Sequence, residues 1–126
     1  MARRERLICT SADVAECARG VRFVLEHGSP TGAFAIRFRA RVSAFVNRCP
    51  HLGTELDWQP GEFFEESGLY LVCSTHGAIF EPDTGKCVAG PCRGASLEPL
   101  QVREREGRVF LDEGPGPATD NELKSR

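Results

Sequence analysis

The sequence predicts an all-β fold, and three features of the chain carry this prediction. Short apolar runs recur along most of the 126 residues, and several alternate apolar with polar side chains, as half-buried strands do. Clusters of Gly, Pro, Asp and Ser separate these runs at regular intervals. The sequence shows no long amphipathic helical pattern and no internal repeat. Many short strands at this spacing are typical of an antiparallel β-barrel or sandwich.

The elements of the first half follow from alternation and from turn residues. Residues 10–14 are expected to form a turn or a single helical turn, with Ser11 or Asp13 as its cap. Segments 34–39 and 42–46 are joined by a tight connection and should form a hairpin. The strands predicted over the whole chain are 6–9, 21–25, 34–39, 42–46, 69–72, 79–80, 86–88, 97–102 and 108–111.

The second half contains two further predicted hairpins. A Pro-Asp-Thr-Gly turn at 82–85 should join two short strands, because Pro and Gly supply the dihedral angles of tight turns. Segments 97–102 and 108–111 should pair across the polar stretch 103–107. Residues 47–60 and 89–94 are predicted to be loops.

Length and composition fit one small domain. Apolar residues make up 40% of the chain, which is enough for one modest core. We expect this domain to span residues 1–112. Residues 113–126 are rich in Gly, Pro and charge, and they are predicted to form a disordered tail.

Charge and hydropathy argue against two classes of partner. The net charge is −2 and the chain has no basic stripe, so nucleic-acid binding is not expected. No apolar run reaches membrane-spanning length, so no membrane association is expected. The charged start, residues 1–6, is not followed by the apolar segment of a signal peptide. The predicted location is therefore cytoplasmic.

Two short motifs combine a cysteine with a histidine. The first is Cys49-Pro50-His51 and the second is Cys73-Ser74-Thr75-His76. They use two of the six cysteines and two of the three histidines. Thiols stay reduced in the cytoplasm, so metal binding is a better default for them than disulfides. A glycine follows each motif, at Gly53 and Gly77, where the lack of a Cβ lets the backbone approach a bound group closely.

Two kinds of metal centre suit two cysteines and two histidines. In a mixed-ligand [2Fe–2S] cluster, one iron is held by two cysteines and the other by two histidines. A structural zinc site takes the same residue types, although zinc sites usually use Cys-x2-Cys or His-x3-His pairs. The Cys-x-His and Cys-x2-His spacings favour the cluster, with zinc as the alternative. Chance placement of buried cysteines beside histidines is a third interpretation.

The two motifs resemble the cluster-binding motif of Rieske ferredoxins. Residues 49–53 and 73–78 carry the resemblance, and it extends over roughly residues 5–112. Gly90-Pro91 stands where these proteins carry a proline loop that covers the cluster. The spacer between the motifs is longer than usual around 58–64, which leaves the subtype open.

The resemblance implies a fold, a cofactor and a function. The fold would be an antiparallel β-barrel or sandwich with a small cluster-binding subdomain at about 47–93, made of two loops. One Rieske-type [2Fe–2S] cluster would be held by Cys49, His51, Cys73 and His76. The protein would carry single electrons between a reductase and a terminal acceptor, most plausibly an oxygenase. One alternative is an accessory subunit of a nitrite-reductase-type complex, and another is a zinc-stabilised interaction module.

Comparison with related classes narrows this function. Respiratory Rieske proteins place hydroxyl groups near the cluster, whereas Ala78 and Phe80 stand at those positions here, so a low reduction potential is expected. Rieske oxygenases add a mononuclear iron site of two histidines and a carboxylate. Only His27 is left for such a site in this chain. We therefore predict an electron-transfer protein and no enzyme.

Four other groups of residues allow a structural and a functional interpretation. Cys87 and Cys92 are a redox pair or extra metal site in one interpretation and buried small hydrophobic residues in the favoured one. Cys9 and Cys17 are expected to be structural. Trp58, Phe63 and Phe64 are expected to pack beneath the long loop rather than to dock a partner. An acidic group is an ordinary solvated face in one interpretation and a surface that steers a basic reductase in the other. It consists of Glu55, Asp57, Glu62, Glu65 and Glu66.

Overall fold

The computed structural model describes residues 3–26, 30–50, 53–75 and 77–115. His27, His51, His76 and residues 116–126 of the predicted disordered tail (113–126) lie outside the described residues. None of the described helices is long and apolar enough to cross a membrane. The strands are β1 (Arg3–Thr10), β2 (Val21–Leu25), β3 (Thr31–Phe38), β4 (Arg41–Val46), β5 (Leu71–Val72), β6 (Ile79–Phe80), β7 (Cys87–Ala89), β8 (Pro99–Leu100), β9 (Val102–Arg105) and β10 (Arg108–Pro115).

The strands form three antiparallel sheets, which confirms the predicted all-β class. Their orders are β1-β10-β9, β2-β3-β4-β8 and β5-β6-β7. Within the described residues each sheet is open rather than closed into a barrel. β10 runs to Pro115 and pairs there with Arg3, three residues past the predicted domain limit at 112.

Residues Ser11–Asp13 form a 3₁₀ turn, which confirms the single helical turn that was one of the two predictions for residues 10–14. Its capping residue is Thr10 instead of Ser11 or Asp13. The Thr10 backbone N–H donates to the Asp13 carboxylate over 2.9 Å. This hydrogen bond satisfies one of the donors that a helical turn leaves unpaired at its start.

The hairpin of β3 and β4 has a two-residue turn made by Arg39 and Ala40. Both residues have positive φ, at 52° and 66°, which matches the twist of hairpin strands but is costly for side chains other than glycine. The Glu16 carboxylate accepts hydrogen bonds from both backbone N–H groups, at 2.5 and 2.8 Å. These bonds offset the strain, and the predicted hairpin is confirmed.

The predicted pairing of 97–102 with 108–111 is confirmed only at its last residue, Val102. The partner of β10 is β9, with Val102 opposite Leu111 and a turn at Glu106-Gly107. Residues 103–105 are therefore strand in spite of their charge, because β9 is the edge of its sheet and its side chains have ion-pair partners. Pro99 and Leu100 pair with β4 in a different sheet.

The larger of two apolar clusters connects β3 and β4 with the sheet β5-β6-β7. Phe34 and Phe63 stack at its centre, with ring centroids 3.9 Å apart and planes 11° apart. Phe63 thus packs beneath the long loop as predicted, and Phe64 packs at the edge of the same cluster. The prediction that Trp58 also packs beneath the loop is wrong, because Trp58 is 83% exposed. Both Cys49 and Cys73 belong to this cluster.

Candidate metal centre

The first ligand loop follows directly from β4. Cys49 lies three residues after the end of β4 and is fully buried. Its backbone N–H donates to the Thr54 carbonyl over 2.7 Å, and the Gly53 N–H donates back to the Cys49 carbonyl over 2.8 Å. These two bonds tie Cys49 to the end of the loop at Gly53 and Thr54, and His51 is outside the described residues.

The second ligand loop follows from β5 and repeats this pattern. Cys73 is also fully buried. Its N–H donates to the Ala78 carbonyl over 2.9 Å, and the Gly77 N–H donates to the Cys73 carbonyl over 2.7 Å. In both loops the cysteine N–H bonds to the fifth residue after it, and its carbonyl accepts from the fourth. The two loops therefore share these two backbone hydrogen bonds at the same relative positions.

The glycine of each loop is required by its backbone conformation. Gly53 has φ of 78° and Gly77 has φ of 73°, in the region that L-residues rarely adopt. A Cβ at Gly77 would meet no protein atom within 4 Å, and one at Gly53 would meet only Arg48 Cγ at 3.9 Å. Among the described protein atoms, conformation explains these glycines and close packing does not.

A direct hydrogen bond joins the segments on which the two loops are built. The Ser74 N–H, next to Cys73, donates to the Leu56 carbonyl over 3.0 Å. Leu56 is fully buried and follows the first loop by two residues. The bond therefore fixes the start of the second loop against the end of the first.

A buried polar network supports the first loop, and sequence reasoning missed it. The Asn47 side chain accepts from the Leu56 N–H over 2.8 Å and donates to the Asp57 carboxylate over 2.9 Å. That carboxylate also accepts from the Gly61 N–H over 2.9 Å and faces Arg22 Nε at 3.3 Å. The network fixes Asn47, two residues before Cys49. A polar residue directly after the apolar run of β4 was the available signal.

The burial of Asp57 corrects the proposed acidic surface. Asp57 is only 7% exposed and belongs to the network, so it is not part of a surface for steering a reductase. Glu55 and Glu62 remain at the surface, but Arg22 and Arg19 lie near them, at 2.9 and 3.9 Å.

A third loop, residues 89–94, packs against both ligand loops. A Cβ at Gly90 would lie 2.8 Å from Ala78 Cα and 3.2 Å from the Gly77 carbonyl oxygen, so the backbones are in direct contact. On the other side, the Cys92 thiol interacts with Cys49. The third loop thus bridges the two ligand loops, at the place where the sequence predicted a covering loop.

Cys87 and Cys92 are both buried, in line with the favoured interpretation. Their sulfurs are 3.2 Å apart, and the Cys92 thiol donates to Cys87. Burial, followed by this hydrogen bond and the charge of Cys87, raises the pKa of the Cys92 thiol to about 12. Among the described residues, no three His, Cys, Asp or Glu side chains are placed to hold a metal ion. His51 and His76 lie outside the described residues.

The described residues fit the cysteine half of a [2Fe–2S] site. Cys49 and Cys73 are buried thiols on loops with the same two backbone hydrogen bonds, and two thiolates are the ligands that one iron of a mixed-ligand cluster takes. Their apolar surroundings exclude water from these sulfurs. Ala78 and Phe80, next to the second loop, are fully buried and offer no side-chain donor.

Comparisons with known proteins address the fold and the family. Residues 6–106 match the model of the Rieske [2Fe-2S] domain family. The chain is 32% identical over 83 residues to oxidoreductase NdmD of Pseudomonas putida, across 60% of this chain and 13% of NdmD. It is similar in structure to the terminal oxygenase of carbazole 1,9a-dioxygenase from Novosphingobium sp. KA1, with a TM-score of 0.72 and 28% identity over 93% of this chain and 31% of the oxygenase chain.

A ferredoxin gives a structural match along nearly its whole length. The ferredoxin of Sphingomonas yanoikuyae B1 matches with a TM-score of 0.66 and 21% identity over 87% of this chain and 99% of the ferredoxin. At this identity the likeness is one of fold. The chain spans less than a third of the oxygenase and a small part of NdmD. The family model, by contrast, covers most of these 126 residues. The predicted family is thereby confirmed: this chain belongs to the Rieske [2Fe–2S] domain family.

Proposed function

We propose that this chain holds one [2Fe–2S] cluster through Cys49, His51, Cys73 and His76 and acts as a one-electron carrier. Cys49 and Cys73 would bind one iron, and His51 and His76 the other. The observation that carries the proposal is the pair of buried cysteines on two loops with the same hydrogen-bond pattern. The family match over residues 6–106 supports it.

When bound, the cluster takes up and releases a single electron. The protein's own contribution is to hold its ligands in a fixed, dry position. The Ser74–Leu56 hydrogen bond and the Asn47 side chain fix the loops from one side, and Gly90 packs on the second loop from the other. Ligands that are held from both sides change their positions little when the charge of the cluster changes. Small rearrangement favours fast electron transfer.

We infer that these 126 residues serve as a carrier and not as a catalyst. A mononuclear iron site would need two histidines in addition to a carboxylate, and His27 is the only one that the cluster proposal leaves. The structural likeness to a ferredoxin over 99% of that protein supports the carrier role.

The proposed partners are a reductase that donates the electron and a terminal acceptor, with an oxygenase as first choice. The structural likeness to a ferredoxin and to an oxygenase domain supports this choice. A cytoplasmic location and the absence of nucleic-acid and membrane partners stay predictions.

The proposal is tested by metal analysis and electron paramagnetic resonance of protein purified without oxygen. We expect about two irons per chain and, after dithionite reduction, a rhombic signal with average g below that of all-cysteine clusters. Cys49→Ser and Cys73→Ser should lose this signal, whereas Cys9→Ser should keep it. A silent spectrum with one zinc per chain would refute the cluster and favour the zinc-stabilised module.

A further inference from the structure

Two cysteines outside the proposed ligand set lie within reach of a covalent bond. Cys87 begins β7 and Cys92 lies in the third loop, five residues later, with the sulfurs 3.2 Å apart. A disulfide bond is about 2.05 Å long, so the sulfurs need to approach by roughly 1 Å. Cys87 also donates to the Ala89 carbonyl over 3.2 Å, so both thiols point into the same loop.

The backbone around the pair already holds the two cysteines together. The Cys87 N–H donates to the Ala95 carbonyl over 2.9 Å, and the Ala95 N–H donates to the Cys92 carbonyl over 2.9 Å. Ala95 therefore ties both cysteines to one point, and the close approach of the sulfurs does not depend on side-chain rotation alone.

We propose that Cys87 and Cys92 form a reversible disulfide that closes the third loop. The reactant is a small-molecule disulfide of the glutathione class. One thiolate attacks it and releases one small thiol, and the second cysteine then displaces the other small thiol from the mixed disulfide. Two S–H bonds break and one S–S bond forms in the protein, and the small disulfide takes up two electrons and two protons.

The Cys87–Cys92 pair lies next to the surface and in the loop that contacts the two ligand loops. Cys92 is 7% exposed, and its neighbours Pro91 and Arg93 are exposed, so the loop offers an approach from solvent. The 3.2 Å separation of the two sulfurs favours the closed product. The third loop packs on Ala78 and contacts Cys49. A disulfide within this loop would therefore hold it in place against the two ligand loops.

The test is peptide mass analysis of the full-length protein, as purified without oxygen and after incubation with glutathione disulfide. Remaining thiols are alkylated after denaturation, and the protein is cut with trypsin. Cleavage after Lys86 and Arg93 releases residues 87–93, a peptide that holds both cysteines. After incubation with glutathione disulfide, we expect this peptide to carry no alkyl groups and to be 2 Da lighter than its dithiol form. Dithiothreitol should restore the dithiol form. A doubly alkylated peptide after glutathione disulfide, or a cross-link from Cys92 to Cys49, would overturn the proposal.

Matched variants and iron analysis separate this inference from the cluster. Cys17→Ser should still give the lighter peptide, whereas Cys92→Ser should leave Cys87 alkylated or carrying glutathione. Iron is measured in the same samples. Full iron without the disulfide refutes this inference alone, and a formed disulfide without iron refutes the proposed function alone.

Discussion

Gly53 and Gly77 occupy the same position in two different loops. Each is the fourth residue after a buried cysteine, each donates its N–H to that cysteine's carbonyl, and their φ angles are 78° and 73°. The same hydrogen bonds thus hold the backbone of Cys49 and of Cys73. A centre with two equivalent sulfur ligands requires this.

The first prediction concerns Gly77. Gly77→Ala forces a Cβ into the left-handed region and should lower the free energy of unfolding by about 1–2 kcal/mol. Because the space around the Cβ is open and Asn adopts this region more readily, Gly77→Asn should cost less. Urea unfolding of both variants measures this. A smaller loss in the alanine variant would contradict the conformational explanation.

The second prediction compares Gly90 with Gly94. Both have a positive φ, at 96° and 95°, but only a Cβ at Gly90 would collide, 2.8 Å from Ala78 Cα. Gly94→Ala should cost about 1–2 kcal/mol for its backbone. Gly90→Ala should cost a further 1–3 kcal/mol or so from overpacking, and it should lose iron more readily. Equal unfolding midpoints and equal iron contents would show that the third loop does not support the site.

The third prediction concerns Asn47. Asn47→Ala leaves the Leu56 N–H and the Asp57 carboxylate without their buried partner, and each loss costs about 1–3 kcal/mol. Glu55→Ala is the control, because it removes an exposed ion pair worth at most about 1 kcal/mol. Chemical denaturation measures both variants. Similar losses would mean that water replaces the Asn47 side chain.

The fourth prediction concerns pH. Arg37 binds the Glu104 carboxylate through both terminal nitrogens, at 3.0 and 2.6 Å, and so links β3 to β9. This hydrogen bonding lowers the pKa of Glu104 below its ordinary value of 4.5. The pair's stabilisation is therefore fully present above pH 4.5 and is lost as pH falls through the lowered pKa. Glu104→Gln should lose less stability than the unmodified protein between neutral pH and pH 3. The free energy of unfolding is measured for both proteins at several pH values in this range. An equal decrease in the two proteins would exclude the Arg37–Glu104 pair as a source of acid sensitivity.

The fifth prediction concerns the reduction potential, and it rests on the proposed function. With no donor at Ala78 or Phe80, we expect a potential of about −150 to 0 mV. Ala78→Ser adds a hydroxyl donor beside the second loop and should raise it. Ala44→Ser, in the other apolar cluster, should leave it unchanged. Redox titration followed by electron paramagnetic resonance measures all three proteins, and a value above about +150 mV would reject the assignment.

Much of the fold was predictable from local pattern. The alternation at 34–39 and the tight connection to 42–46 predicted β3 and β4 with their hairpin. In the structure both faces of β3 are buried at its centre, from Ala33 to Ile36. The final hairpin was predicted correctly only at Val102, since charged residues 103–105 carry no apolar signal. These residues pair with β10 through the backbone, and Glu104 also binds Arg37 of another sheet.

The sequence by itself determined the family and the candidate ligands, because short spacings such as Cys49-Pro50-His51 are local properties of the chain. Only the tertiary structure decided what surrounds them. Asn47 and Asp57 are ten residues apart, and Gly90 meets Ala78 across twelve, so their contacts depend on how distant segments pack. The same packing brought the sulfurs of Cys87 and Cys92 to 3.2 Å, a distance that no spacing in the sequence specifies.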